Sequence, residues 1–318
     1  MENIKAVIEI IIIFNISTPK KLTFIMNILY SLHLYEKNIT VLLQSHINYI
    51  RILNVYYFKK MQKFEFLEYK IKSKIAHICI NRPPINAFNI QLLDEILNAL
   101  KLAKNDANVR VVLIKSELEK IFCAGLDLDI LIDKPILKVR EFLERLYVKL
   151  WDLQYNMGKP TIAVVNGSAR GGGMTLAISC DVIIASENAS FGYPEINLGL
   201  PPAIHFIHLP KIVGRYKAFE LLFSGRVFDT KEAFSIGLIN KIVSKSNLNK
   251  EAENLALIFS EKSANTIKLS RAAFMRANDF DYRRSVANAV EDFCNATVTP
   301  DAQEGLKAFL EKRKPKWD

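Results

Sequence analysis

The chain is poor in the features that mark several large classes of protein. None of its four cysteines, at positions 79, 123, 180 and 294, stands in a C-x-x-C pair, and the five histidines do not cluster with them. A zinc site is therefore not expected. Three of the four thiols lie in apolar strand or helix contexts, so buried free cysteines in a reducing compartment are expected. No apolar run is long: residues 7–16 are interrupted by Glu9 and Asn15, and they fall short of the roughly 20 residues that cross a bilayer. A basic start followed by a small-residue cleavage site, the secretory pattern, is also missing. Positive charge is in excess, at a net +10, but it is scattered, and the longest basic block is Lys312-Arg313-Lys314 with Lys316. A spread of this kind attracts phosphates in general at least as well as it makes a nucleic-acid face, and RNA binding stays a minority expectation. Glycine is absent from residues 1–60, which hold one proline, Pro19, and apolar patches at 22–34 and 39–43 without a clear helical or strand period.

What is present is an ordinary globular mixture, 50% hydrophobic and 24% charged. The informative stretch is residues 158–202, GKPTIAVVNGSARGGGMTLAISCDVIIASENASFGYPEINLGLPP. Residues 161–165 are a β-branched apolar run, which reads as a buried strand. Gly171, Gly172 and Gly173 then precede the helix formers Leu176 and Ala177, so the glycines fall at the first turn of a helix. A helix start leaves backbone N–H groups without partners and carries partial positive charge. Where no side chain intervenes, a ligand oxygen can approach those donors. Alone, the glycines are also what close packing of a helix on a strand requires. Glu195 brings a carboxylate about twenty residues downstream, and FCAGLDLDIL at 122–131 adds a second strand-end glycine, Gly125, followed by Asp127.

Together FCAGxD, NGxAxGGG and FGxPEINLGL resemble the crotonase family, the enoyl-CoA hydratases and isomerases. The resemblance runs on through KIVGRYKAFELLFSGRVFDTKEAFSIGLINKIV at 211–243 to DAQEGLKAFLEKRKP at 301–315, and so covers residues 64–318. It implies an α/β fold, a spiral of ββα turns with a C-terminal helical region that packs on a neighbouring subunit in a homotrimer or hexamer. The domains expected are a core over 61–247, helices over 248–318, and an atypical extension over 1–60. Met61 is the expected natural start, since 318 − 60 = 258 residues remain from there, close to the family's length. The extension then belongs to a mis-assigned reading frame; its alternative is a membrane-associating or targeting arm.

Within the core, 64–80 holds two strand-like runs joined by a polar turn. Asn89 is the expected N-cap of a helix over 90–104 whose inner face is Leu92, Leu93, Ile96, Leu97 and Leu100. Strands are expected at 109–114, at 122–126 and at 182–185, and a long amphipathic helix at 139–154. Four further helices are expected at 248–261, 264–276, 281–295 and 301–312.

The chemistry implied is that of a thioester enolate. Its oxyanion needs two donors and its carbon a base or acid. By resemblance the donors are the backbone N–H groups of Leu126 and Gly172, and the acid/base is Glu195; a surface glutamate in a salt bridge is the plain alternative. Residues 126–129 (Leu126, Asp127, Leu128 and Asp129) would line the coenzyme A channel, with Asp127 equally a turn or helix cap. Phe293 falls where the family sets an aromatic ring against adenine, and equally reads as core. The substrate is an acyl-CoA, coenzyme A being part of it, and no metal or other cofactor is implied. A cytoplasmic location is expected, and no membrane is expected for the core.

The departures matter. Hydratases of the family carry a first glutamate two residues after the glycine triplet, and Thr175 stands there; threonine is no general base near neutral pH but can orient water or substrate. Asn197 replaces an aspartate of the dienoyl-CoA isomerases. Pro201-Pro202-Ala203-Ile204-His205-Phe206 replaces a glycine-rich segment. His205 and His208 offer a second titrating group, though helix packing is the preferred reading. Hydration is expected first, double-bond isomerisation by the single glutamate second, and a non-catalytic acyl-CoA-binding or RNA-binding homologue third.

Overall fold

The structure, a computed structural model, describes residues 64–278 and 282–317. The extension over 1–60 and the start expected at Met61 lie outside the described residues.

Strands β1 (Leu67–Lys72) and β2 (Ile75–Ile80) form the antiparallel hairpin expected at 64–80. Its two-residue turn, Ser73-Lys74, has both φ angles positive (51° and 65°), the twist that suits a tight hairpin. β1 is the sheet edge and carries Glu68, Lys70 and Lys72 outward, charges that discourage pairing with another chain. From β2 inward the pairing is parallel, through β3 (Val111–Ser116), β5 (Thr161–Val165), β7 (Val182–Ser186) and β10 (Lys241–Val243). Parallel strands are covered on both faces. Ile75, Val111, Leu113, Ile162, Val164 and Ile184 point to one side, where Leu248, Ala252 and Ala256 of a helix close over them. Alternate residues such as Ile78, Val112, Ile114, Ala163 and Ala185 point into the larger core.

A second sheet is built from strands of three residues each: β4 (Ile121–Cys123), β6 (Ser168–Arg170), β8 (Ser190–Gly192) and β9 (Val227–Asp229), in that order. Along the chain β3–β4, β5–β6 and β7–β8 each step from the first sheet to the second before a helical segment follows. This is the ββα spiral.

Helix α1 (Ile90–Asn105) starts at Asn89, whose side chain accepts the Leu92 N–H at 2.8 Å. A cap of this kind stabilises by about 1 kcal/mol. The five leucines and isoleucines of its expected inner face are all buried. The long helix expected at 139–154 begins earlier and is irregular. It runs as α2 (Ile136–Leu143), a π-helical turn (Glu144–Lys149) and α3 (Leu150–Tyr155). Such turns widen the helix and are frequent near functional sites. α4 (Gly172–Ile178) is the glycine helix. α5 (His205–Val213), α6 (Arg215–Ser224) and α7 (Thr230–Ser235) follow.

The four expected C-terminal helices are α8 (Leu248–Ser260), α9 (Ala264–Asn278), α10 (Tyr282–Thr297) and α11 (Pro300–Leu310). Three of them pack on their own chain: α8 covers the first sheet, α10 buries Val286, Ala289, Val290 and Phe293 in the main core, and α11 adds Ala302 and Leu306 to it. α9 differs: Arg271 is its buried residue, forked onto Asp181 (2.9 and 3.0 Å) and onto the carbonyls of Gln154 and Tyr155. Its Leu269 and Phe274 are 71% and 64% exposed. No helix among the described residues is long and apolar enough to cross a membrane.

Candidate active site

The second sheet brings three loops together. The first follows β4. Gly125 (φ +104°) and Leu126 lie beside Phe88, whose N–H donates to the Gly125 carbonyl (2.7 Å) and whose carbonyl accepts from Asp127 N–H (3.0 Å). That pattern turns the Leu126 amide away from Phe88, and it has no backbone partner among the described residues. The second loop is the glycine triplet after β6. A Cβ on Gly125 would lie 3.4 Å from the Gly172 nitrogen, and one on Gly172 would lie 3.1 Å from Leu126 Cδ2. The two backbones therefore abut, and the Gly172 amide, in the first turn of α4, likewise lacks a backbone acceptor among the described residues.

The three glycines answer to different needs. A Cβ on Gly173 would stand 2.2 Å from the Cys123 carbonyl oxygen, so this one meets the helix-on-strand packing that the sequence also allowed. Gly171 has φ +46°, and a Cβ there would stand 2.9 Å from Glu195 Oε1. The close approach of the Glu195 carboxylate depends on that bare position.

The third loop, the short 3₁₀ turn Pro194–Leu198 after β8, carries Glu195. Its side chain is 12% exposed, and Oε2 is buried without a hydrogen-bond partner. No lysine or arginine of the described residues pairs with it, so the surface salt bridge considered from sequence is not what the fold makes. Burial pushes its carboxyl up to about 7, because an apolar surround disfavours the charged form. At neutral pH it is close to half ionised and suited to both taking and giving a proton.

Thr175, one turn into α4, is fully buried. Its Oγ1 lies 3.4 Å from His205 Nε2, which is also 3.3 Å from the Gly171 carbonyl and 4.0 Å from Glu195 Oε1. The last contact is not an ion pair: burial lowers the His205 imidazole to about 3, and it stays neutral. His208, one turn on, stacks flat on Trp151 with centroids 3.7 Å apart, and burial lowers it to about 3 as well. Both histidines do pack in the helix, as preferred from sequence, but His205 packs against the candidate site itself.

Three aromatic residues packed around Glu195 and the two histidines were not foreseen. Tyr193 lies 4.5 Å, ring to ring, from His205, and its hydroxyl is buried and unpaired. Tyr147 comes from the π-helical turn; burial and then the charge of Glu195 raise its phenol well above its ordinary value. Trp151 follows it one turn later, with an unpaired indole N–H. Tyr193 was open to notice as the aromatic beside PE, whereas nothing in the sequence marks a π turn at Tyr147.

The remaining expected residues sit elsewhere. Asp127 caps the 3₁₀ turn Leu128–Ile130 and pairs with Arg82 at 2.8 Å, so the cap reading describes its contacts. Leu128 is half-buried against the core, and Asp129 is exposed. Phe293 is 1% exposed and meets Tyr147 edge-on at 6.3 Å. Its ring has no free face for adenine, and of its two readings the core one fits. All four cysteines are free, Cys79, Cys123 and Cys294 being buried and Cys180 half-buried.

A ββα spiral with two short-strand loops packed against a buried carboxyl is the architecture of the crotonase superfamily. Residues 70–318 match the family model described as enoyl-CoA hydratase/isomerase. The chain is 38% identical over 245 residues to a crotonyl-CoA hydratase of Syntrophomonas wolfei, covering 76% of this chain and 94% of that one. It is 36% identical over 245 residues to a short-chain-enoyl-CoA hydratase of Clostridium acetobutylicum, with 76% and 94% covered. The crystal structure of an enoyl-CoA hydratase from Bacillus anthracis superposes with a TM-score of 0.65 at 30% identity, over 80% of this chain and 99% of that one. The chain belongs to the enoyl-CoA hydratase/isomerase family, a family of enzymes.

Proposed function

We propose that the protein adds water across the double bond of a 2-enoyl-CoA thioester, with Glu195 as the single proton-transfer group. The observation that supports it most is the carboxyl of Glu195, buried without a cation and held against Gly171, next to the partner-free Gly172 amide. In this reading the Leu126 and Gly172 N–H groups receive the thioester oxygen as it gains charge, each worth about 3 kcal/mol in the transition state. Ionised Glu195 takes a proton from a water oriented by Thr175, and the oxygen bonds to C3. The proton then passes from Glu195 to C2 as the enolate collapses. One O–H bond of water and the C2–C3 π bond break, one C–O and one C–H bond form, and the carboxylate is regenerated. Coenzyme A belongs to the substrate, and the scattered positive charge suits its phosphates.

Thr175 gives double-bond isomerisation its place as second reading, because that reaction needs one proton shuttle and no water. Crotonyl-CoA and a 3-enoyl-CoA, each incubated with the protein in deuterated water, separate the two. Hydration of the first supports the proposal; deuterium uptake and double-bond migration in the second, without hydration of the first, replaces it with the isomerase. Assembly into a homotrimer or hexamer goes with this reading, with the exposed Leu269 and Phe274 of α9 as candidate contacts, and light scattering would measure it. The free thiols suit a reducing compartment such as the cytoplasm.

A further inference from the structure

Hydration with one carboxyl leaves a question that the geometry around Thr175 answers. A threonine hydroxyl rotates freely unless something fixes it, and a freely rotating hydroxyl orients a water poorly. His205 Nε2 is the atom placed to fix it. It stands 3.3 Å from the Gly171 carbonyl, 3.4 Å from Thr175 Oγ1 and 4.0 Å from Glu195 Oε1. The Gly171 carbonyl only accepts, so Nε2 carries the hydrogen and Nδ1 the lone pair. Nδ1 is itself buried without a partner, which leaves that ring edge with nothing to draw the hydrogen across. The ring is held at its other surfaces by Tyr193, at 4.5 Å between centroids, and is 0% exposed.

We propose that His205 is a positioning residue: its Nε2–H, seated on the Gly171 carbonyl, also donates to Thr175 Oγ1 and turns that hydroxyl's hydrogen toward the water beside Glu195. The hydrogen-bond chain thus runs from His205 Nε2–H to Thr175 Oγ1–H to the attacking water. It gives the pocket a neutral, fixed donor chain where a second carboxylate would otherwise hold the water. Neutrality matters to the scheme. A charged imidazolium 4.0 Å from Glu195 would pull that carboxyl into its ionised form and away from the range in which it can return a proton. Burial instead keeps the imidazole uncharged across the working pH.

The inference rests on the hydration reading, and the experiment separates the two. It compares hydration of crotonyl-CoA with exchange of the α-proton of butyryl-CoA in deuterated water, a reaction that needs Glu195 and the oxyanion donors but no attacking water. The proteins are wild type, His205→Leu, His205→Gln, Thr175→Val and the double variant His205→Leu/Thr175→Val. Losing a positioned donor should lower the hydration kcat of His205→Leu about 30-fold with KM changed less than about threefold. Butyryl-CoA exchange should fall less than about threefold, since the enolate step does not use the chain. The double variant should be no slower than the slower single variant, because the two residues act through one another. His205→Gln, whose amide can donate from near the same place, should recover about tenfold of the lost rate.

Multiplying losses in the double variant would overturn the proposal. So would equal losses of hydration and exchange in His205→Leu. If His205→Leu fails to fold, His205→Gln decides alone: hydration within about threefold of wild type with exchange kept supports the positioning role, and hydration and exchange lost together overturns it. A wild-type protein that exchanges butyryl-CoA but adds no water to crotonyl-CoA overturns the hydration reading, and this one with it.

Discussion

Two groups of carboxylates on this molecule have opposite fates. On the surface, Glu220 and Glu232 share Arg226 and Lys217, with Arg226 contacts of 2.9 and 2.8 Å and Lys217 contacts of 3.1 and 3.2 Å. The hydrogen bond from Arg226 holds Glu220 down at about 2. At the candidate site, Glu195 has no cationic partner among the described residues, and burial raises its carboxyl to about 7. The first arrangement satisfies its charges and leaves them inert; the second keeps a proton available at neutral pH. A paired carboxylate fits architecture, and an unpaired buried one fits chemistry.

The contrast is broken most strongly by Glu195→Gln, which keeps the shape and removes the titrating group. Hydration should fall by about 10³-fold with little change in KM, read from steady-state kinetics on crotonyl-CoA. The same variant sharpens the electrostatic side. Folded Glu195 keeps its proton until about pH 7, whereas the unfolded carboxyl loses it near 4.5. Its stabilising contribution is thus complete below about pH 4.5 and is lost as pH rises through 7. Relative to its own value at low pH, wild type should lose about 3 kcal/mol by pH 8 that Glu195→Gln does not, seen in urea melts of both. His205 and His208 slope the other way, since both are buried neutral. Their contribution is present above about pH 6.5 and disappears as pH falls below it.

Next in size is Gly173→Ala. Its methyl group would sit 2.2 Å from the Cys123 carbonyl oxygen, and forcing α4 off β4 should cost about 2 kcal/mol in denaturant melts. Smallest is Glu220→Gln, on a side chain 42% exposed. It should change stability by less than about 1 kcal/mol and leave kcat alone.

The two sheets differ in how openly the sequence announces them. Six-residue and five-residue strands such as Ile75–Ile80 and Thr161–Val165 are apolar apart from His77 and Thr161 because both of their faces are covered, and that burial writes itself into composition. The hairpin and the Asn89 cap were legible for the same local reasons. β6, β8 and β9, at three residues each, carry too few side chains to set a period, and their pairing is dictated by tertiary contacts. The candidate site lies on that second sheet. Leu126, Gly172, Thr175 and Glu195 could be named from motifs, and the fold does bring them into one neighbourhood. Tyr147 could not, because its inward aim depends on a π turn inside an otherwise ordinary amphipathic helix. His205 was visible as a residue, but a contact with Thr175 thirty positions earlier in the chain is a property of packing.

The pH dependence of kcat/KM for crotonyl-CoA hydration by the unaltered protein tests the account most directly. One group, needed ionised at the start of the reaction and held near 7 by burial, predicts a rate that falls about tenfold per unit below that pH and levels off above it. A profile that stays flat between about pH 5 and pH 9 would contradict it, because no carboxyl poised by its surroundings could then be taking the water's proton.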